Sequence, residues 1–331
     1  MGKKKLYPYG EEGICTYEYV MINGLKQYIQ IRGRKKTNPV ILFIHGGPGG
    51  AISGLCHVMQ QQWEEAFTVV NWDQRNAGKT YCANREKAYE IGKTGSLPDY
   101  MKDIDEVIAY LHTRYEFEKL YIMGFSWGSV IGAEYARLHP ENVIAYIGVG
   151  QLISYEKGFK LICENTLDIS KSQNHQKDVA SLTALLDNYP AENSMTTERM
   201  KSVRQFAMLA NKYLVKHAKP FPIMQILSSP FLSWKEKKAM FLSDINLYEE
   251  TYKTMLSYNF MSEADFDVPI YFISGEEDIN CPASLVQSSM NGIKAPHKKL
   301  YMIEEASHMC FYDQAEKFNE MLIQIKQSES F

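Results

Sequence analysis

The sequence predicts an α/β protein with a mostly parallel central sheet covered by helices on both faces and one helical insertion. Three observations carry this. Short, continuously apolar runs recur, as strands buried on both faces require. Segments of helical period separate them, which calls for crossover connections and parallel pairing. The alternation then stops for a long stretch and resumes near the C-terminus.

In order, "CTYEYVMINGLKQYIQIRG" at 15–33 alternates and carries Asn23-Gly24, a favoured two-residue turn, so an antiparallel hairpin is expected first. "PVILFIHGGPGG", "FTVVNWDQRNAG", "KLYIMGFS" and "VIAYIGVG" each have the length of a buried strand. Between them, Tyr100, Ile104, Val107, Ile108 and Leu111 fall at helical spacing. "WGSVIGAEYARLHP" is a second helix, stopped at His139-Pro140. The core is expected over 1–152, a helical lid over 153–265, and the rest of the core over 266–331. That last part reads as "VPIYFISGEEDINCP", a helix around 284–291, "KKLYMIEEASH" and a closing amphipathic helix.

Composition narrows the function. The chain has 331 residues, 45% hydrophobic and 23% charged, with a formal charge of -3, which suits a globular protein with a substantial core. So small a net charge gives no electrostatic reason to expect nucleic acid or a membrane as the main partner. The basic start "MGKKKLYPYGEEG" leads into no signal-peptide-like apolar run, and no run is long enough to span a bilayer, so a cytoplasmic location is expected. The six cysteines show no metal-ligand spacing and read as reduced thiols; neither a metal nor a cofactor is expected. Cys281 and Cys310 lie close to candidate site residues but read as small buried hydrophobes.

The chemistry is most legible at "GFSWG", 124–128. A strand passes into a helix there with no ordinary loop, and Gly-x-Ser-x-Gly at such a junction lifts a serine Oγ clear of the sheet. A serine hydroxyl needs a base to take its proton and a carboxylate to orient that base. In the order serine, acid, histidine, Asp278 and His308 fall just past late strands. Glu276 and Glu277 compete for the orienting role, with Asp278 preferred because it sits beyond the strand end. Two N–H donors must face the developing oxyanion, a contribution of about 3 to 4 kcal/mol per donor. Trp127 supplies one, and Gly47 of "HGGPGG" the other.

Together HGGPGG, WDQRNAG at 72–78, GFSWGS, the helical insertion, GEED and SH resemble the α/β-hydrolase superfamily, most closely the proline iminopeptidase (prolyl aminopeptidase, peptidase family S33) group. The resemblance covers the catalytic domain on both sides of the lid. It implies a Ser126–Asp278–His308 triad, oxyanion donors at Gly47 and Trp127, and bracing by Asp73 to Arg75. The sequence departs from that pattern at Phe125 and Asn76, where glycine is usual, and lacks the Trp-x-x-Trp-Glu lid signature, with only "SWKEK" at 233–237 in its place. Carboxylates that would hold a substrate amino group are sought in Glu164, Glu249 and Glu250, against the alternative that all three are solvated surface residues.

The expected activity is serine hydrolysis of a small-molecule or short-peptide substrate through an acyl-enzyme, in aminopeptidase form. An esterase or acyl-amide hydrolase needs only an apolar cavity, which Phe206, Tyr213, Phe221 and Tyr248 are candidates to line. A non-catalytic binding protein is the third reading.

Overall fold

The computed structural model describes residues 9–115, 118–189, 194–242, 244–260 and 265–329. The lysines of the N-terminal cluster lie outside them. Eight strands form one sheet in the order β1-β2-β4-β3-β5-β6-β7-β8. β1 (Ile14–Ile22) and β2 (Leu25–Gly33) make the predicted hairpin, with Asn23 and Gly24 both at positive φ, as a tight hairpin turn requires. β2 is also antiparallel to β4 (Thr68–Asp73). The remaining pairs, joining β4 to β3 (Val40–Ile44), then β5 (Leu120–Phe125), β6 (Val143–Val149), β7 (Ile270–Gly275) and β8 (Lys298–Ile303), are parallel.

The strand order reverses at β3, which has β4 on one side and β5 on the other. Crossovers leave in opposite directions from such a point, so a crevice opens beyond the carboxyl ends of the strands, where ligands bind in open α/β sheets. The loop after β3 and the turn after β5 therefore converge.

Helix α1 (Leu97–Tyr115) buries the five apolar residues that its spacing predicted, and α2 (Trp127–Leu138) ends before Pro140. Both belong to the apolar cluster on one face of the sheet. The other face is covered by a second cluster that includes Trp63, Phe311 and the closing helix α9 (Ala315–Ser328), through Phe318, Leu322 and Ile325.

Between β6 and β7 stand α3 (Tyr155–Ser172), α4 (Gln176–Asp187), α5 (Thr197–Leu214), α6 (Ile223–Ser228), α7 (Trp234–Ala239) and α8 (Glu249–Ser257). Ser154 and Thr196 cap α3 and α5 with their hydroxyls, and Ser233 with Glu236 forms a full capping box on α7. A small core of their own, including Ile162, Leu182 and Phe206, holds α3, α4 and α5 together. Among the described residues no helix is long and apolar enough to cross a membrane.

Candidate active site

The turn after β5 shows why the small residues are where they are. Ser126 sits at φ 54° and ψ -120°, a conformation that a non-glycine residue holds only when its surroundings fix it. Its N–H donates to Val149 O at 3.0 Å, and its carbonyl accepts from both the amide and the hydroxyl of Ser129. A Cβ on Gly124 would lie 2.5 Å from Gly128 O, and one on Gly128 would lie 2.0 Å from Ile44 O. Both glycines let three backbones converge, and Ser126 stands at the apex.

The Nδ1–H of His308 donates to Asp278 Oδ2 at 2.8 Å, which leaves the Nε2 lone pair of the neutral ring unprotonated. Asp278 is buried, and its Oδ1 accepts the backbone N–H groups of Asn280 and Cys281, each at 2.8 Å. Three donors thus converge on one carboxylate. Glu276 and Glu277, the competing candidates, are not bonded to His308; Glu277 instead accepts the amides of Lys216 and His217 and the His217 ring.

Two residues fix the imidazole, one of which, Gly150, the sequence did not single out. Gly150 lies at φ 51°, and a Cβ there would sit 3.2 Å from the His308 ring and 3.1 Å from Asp278 Oδ2. Phe125 covers the ring with centroids 4.8 Å apart and is itself seated edge-on against Phe311. The departure at Phe125 therefore supplies a wall for the candidate base. The one at Asn76 also has a use: at φ 57° its Nδ2 donates to Ala88 O and to Leu247 O, tying the core to the turn before α8.

The loop after β3 is braced by a histidine in a single tautomer. His45 Nε2 accepts the Gln74 N–H at 3.2 Å, so Nδ1 carries the proton and donates to Gly46 O at 2.8 Å. Burial pushes the His45 pKa down to about 4. Within 73–75, Gln74 does the bracing directly, its amide also donating to His45 O. Arg75 pairs with Asp103 in the interior, and Asp73 accepts from Lys79 N.

Ser126, Trp127, Gly46, Gly47 and His308 share one cavity of about 420 Å³. Its remaining wall is mostly apolar, with Leu152, Phe159, Phe206, Phe221, Met240 and Met309 among the contributors. Cys281 also lines it, beside the Ser126 hydroxyl, and burial followed by the Asp278 charge holds its thiol well above the usual range. A protonated thiol there does not compete as a nucleophile.

Two residues expected at the cavity are elsewhere. Tyr213 is turned to His175 and Asp178, and Tyr248 stands over Gly49, donating to Asn76 O. Nor does any of the three candidate carboxylates line it. Glu164 lies on the solvated side of α3 near Lys160, and Glu249 and Glu250, in the first turn of α8, pair with Lys253. Helix position explains this, because the apolar faces of α3 and α8 are the ones turned inward. Among the described residues no Asp or Glu lines the cavity, and none of the His, Cys, Asp and Glu groupings could hold a metal ion.

Comparison with known proteins agrees with this architecture. A family model described as alpha/beta hydrolase fold matches residues 39–315. The chain is 25% identical to a "Probable aminopeptidase YbaC" of Bacillus subtilis over 90% of this chain and 92% of that protein. It is 32% identical to a proline iminopeptidase of Neisseria meningitidis, over 38% of this chain and 36% of that protein. Among solved structures, a proline iminopeptidase of Mycobacterium smegmatis superposes with a TM-score of 0.59 at 16% identity, covering 95% of this chain and 98% of that one. An esterase of Exiguobacterium antarcticum gives the same TM-score, 0.59, at 16% identity over 93% and 98%. With a sheet, a strand-to-helix turn and a model match that all coincide, the chain belongs to the α/β-hydrolase fold family.

Proposed function

We propose that the protein is a serine hydrolase that forms an acyl-enzyme on Ser126, and that its acyl site takes an uncharged, apolar group. One observation carries the reading. The cavity that holds the Ser126 hydroxyl and the Asp278-bound His308 has mostly apolar walls and no carboxylate among the described residues.

In this mechanism His308 Nε2 takes the Ser126 proton as Oγ attacks the substrate carbonyl carbon. The oxyanion is held by the N–H groups of Gly47 and Trp127, and the imidazolium by Asp278. His308 then returns the proton to the leaving group, and water repeats the sequence to release the acid. Phe159, Phe206 and Phe221, from α3, α5 and the connection between α5 and α6, wall the cavity, which supports reading residues 153–265 as a lid. Labelling by a fluorophosphonate probe tests the nucleophile: the wild type should label and Ser126→Ala should not. Labelling that persists in the variant overturns the assignment.

A second reading, an aminopeptidase, is favoured by the 25% identity to a probable aminopeptidase over nearly the whole chain. A free amino group beside the scissile carbonyl would then need a charged partner. Rates on proline p-nitroanilide, its N-acetylated form and p-nitrophenyl butyrate separate the two. An apolar acyl site favours the uncharged substrates, and an aminopeptidase rejects the capped anilide.

A further inference from the structure

Half of the exposed large apolar side chains among the described residues come from the single stretch 221–242: Phe221, Ile223, Met224, Leu227, Trp234 and the pair Phe241-Leu242. Met224 is 71% exposed and Trp234 70%, whereas Trp63, Trp72 and Trp127 are each 1% exposed. A folded protein that leaves a cluster of this kind in water marks a surface that something else covers.

The part of the cluster on α6 and α7 is contiguous. On α6 only Ile226 is turned to the core, leaving Ile223, Met224 and Leu227 outward. Lys237 of α7 donates to Leu227 O at 2.6 Å and lies 5.1 Å over the Trp234 ring, so α7 adjoins the exposed side of α6. Phe221 and Met240 carry the apolar surface to the mouth of the cavity that holds Ser126.

Its own side chains are mostly basic, although the backbone at 216–219 is tied to the core carboxylates Glu277 and Asp313, so the cationic part is α7. Residues 215–242 contain Lys216, Lys219, Lys235, Lys237 and Lys238 and one carboxylate, Glu236. That carboxylate is engaged by Lys79 and by the Ser233 amide. A chain with a net charge of -3 therefore presents a cationic, apolar surface at one place, which the total conceals.

We propose that this surface docks the protein onto a bilayer containing anionic phospholipid. Phe221, Met224 and Trp234 enter the head-group region, and the lysine ammonium groups pair with lipid phosphates while their methylene stems lie along the apolar surface. A second copy of the chain is the poorer occupant. A two-fold dimer would set the same patch against itself, bringing lysines toward lysines. Docking leaves the cavity mouth facing the bilayer, where sparingly soluble acyl substrates concentrate.

The inference does not depend on the hydrolase reading, because Ser126→Ala should bind vesicles like the wild type. Trp234 serves as the reporter, since the other three tryptophans are already buried. Vesicles of phosphatidylcholine with phosphatidylglycerol should shift its emission to the blue and sediment the protein, with binding that weakens as salt is added. Phosphatidylcholine alone should bind far less. Lys238→Ala should weaken partitioning about fivefold, as expected for one basic residue at an anionic surface. Met224→Asp with Lys238→Glu should abolish it, with hydrolysis of a water-soluble short-chain ester unchanged. Trp234→Phe should remove the spectral shift.

Absence of binding to either vesicle at low salt overturns the proposal, as does equal binding to both. A concentration-dependent blue shift without lipid, accompanied by dimer in sedimentation, assigns the patch to self-association. A shift with an acidic amphipathic peptide and none with vesicles assigns it to a protein partner.

Discussion

The carboxyl edge of the sheet and the helices above it are held in different ways. At the edge, each candidate catalytic group is fixed by several independent contacts: Ser126 by converging backbones, Asp278 by three donors, His308 between Gly150 and Phe125. Over the crevice, α6 buries one residue and α7 none. That part is joined to the core by Ile226 and Leu232, which belong to the apolar cluster that includes Trp63, and by a few polar ties: Ser229 to Gly54, Glu236 to Lys79, Leu247 to Asn76, and residues 216–219 to Glu277 and Asp313. The contrast teaches that changes at the edge should act on turnover, and changes above it on which substrates bind and how tightly.

Asp278→Asn should give the largest effect. The amide loses the charge that holds the imidazole tautomer, while the backbone donors around it stay in place, so kcat should fall by about 10⁴. Far-UV circular dichroism and the melting temperature should change little by comparison. A loss below tenfold with the fold intact would mean that the edge is a scaffold and not a catalytic constellation.

The second effect is on stability and comes from His45, held at a pKa of about 4 by burial. Between that value and the ordinary histidine range, the unfolded chain binds a proton that the folded one refuses, so stability rises with pH across this window. Its contribution is complete at neutral pH, and the loss on acidification toward pH 4 should be on the order of 3 kcal/mol. Urea melts from pH 7 to pH 4 measure it. His45→Gln should show a shallower slope over the same window; an unchanged slope would place the acid sensitivity elsewhere.

Third comes the tie nearest Asp278. Glu277 precedes Asp278 and accepts both the Lys216 and His217 amides, at 2.7 and 2.9 Å. Asp313 ties the same segment through Lys219 N and also holds Ser307, the neighbour of His308. The segment leads to Phe221 in the cavity wall. Glu277→Ala should raise KM for a bulky apolar ester by about tenfold, the scale of losing hydrogen bonds to a charged group, with kcat within about twofold. A fall in kcat with KM unchanged would assign Glu277 to the edge and erase the distinction.

The two regions also differed in how far the sequence revealed them. Strand runs, the Gly-x-Ser-x-Gly turn and the positions of Asp278 and His308 were readable because each is local punctuation: apolar length, small residues, a place after a strand. Gly150, the use of Phe125 as a wall and the His45 half of the His45–Gln74 brace were not, since these roles arise from contacts across the sheet. Gly150 meets His308, 158 positions later by their numbering, and nothing near either residue announces it. The same holds above the sheet. Tyr213 has the character of a cavity residue, yet the rotation of α5 turns it to Asp178, and Phe206 on the same helix takes the wall.

The smallest expected effect bears most directly on the substrate. Glu164, Glu249 and Glu250 were the sequence's candidates for an amino-group site, and in the fold they face solvent or Lys253. Exposed pairs of this kind contribute little, because water screens them and long side chains lose freedom in forming them. Replacing all three with alanine should therefore leave kcat/KM within about twofold on both proline p-nitroanilide and p-nitrophenyl butyrate. The pair of substrates matters more than either alone. A loss confined to the free-amine anilide would mean that α3 or α8 swings a carboxylate to the crevice during turnover, restoring the aminopeptidase reading through motion of the helices above the sheet. An equal loss on both would instead indicate damage to the helices, visible as a lowered melting temperature.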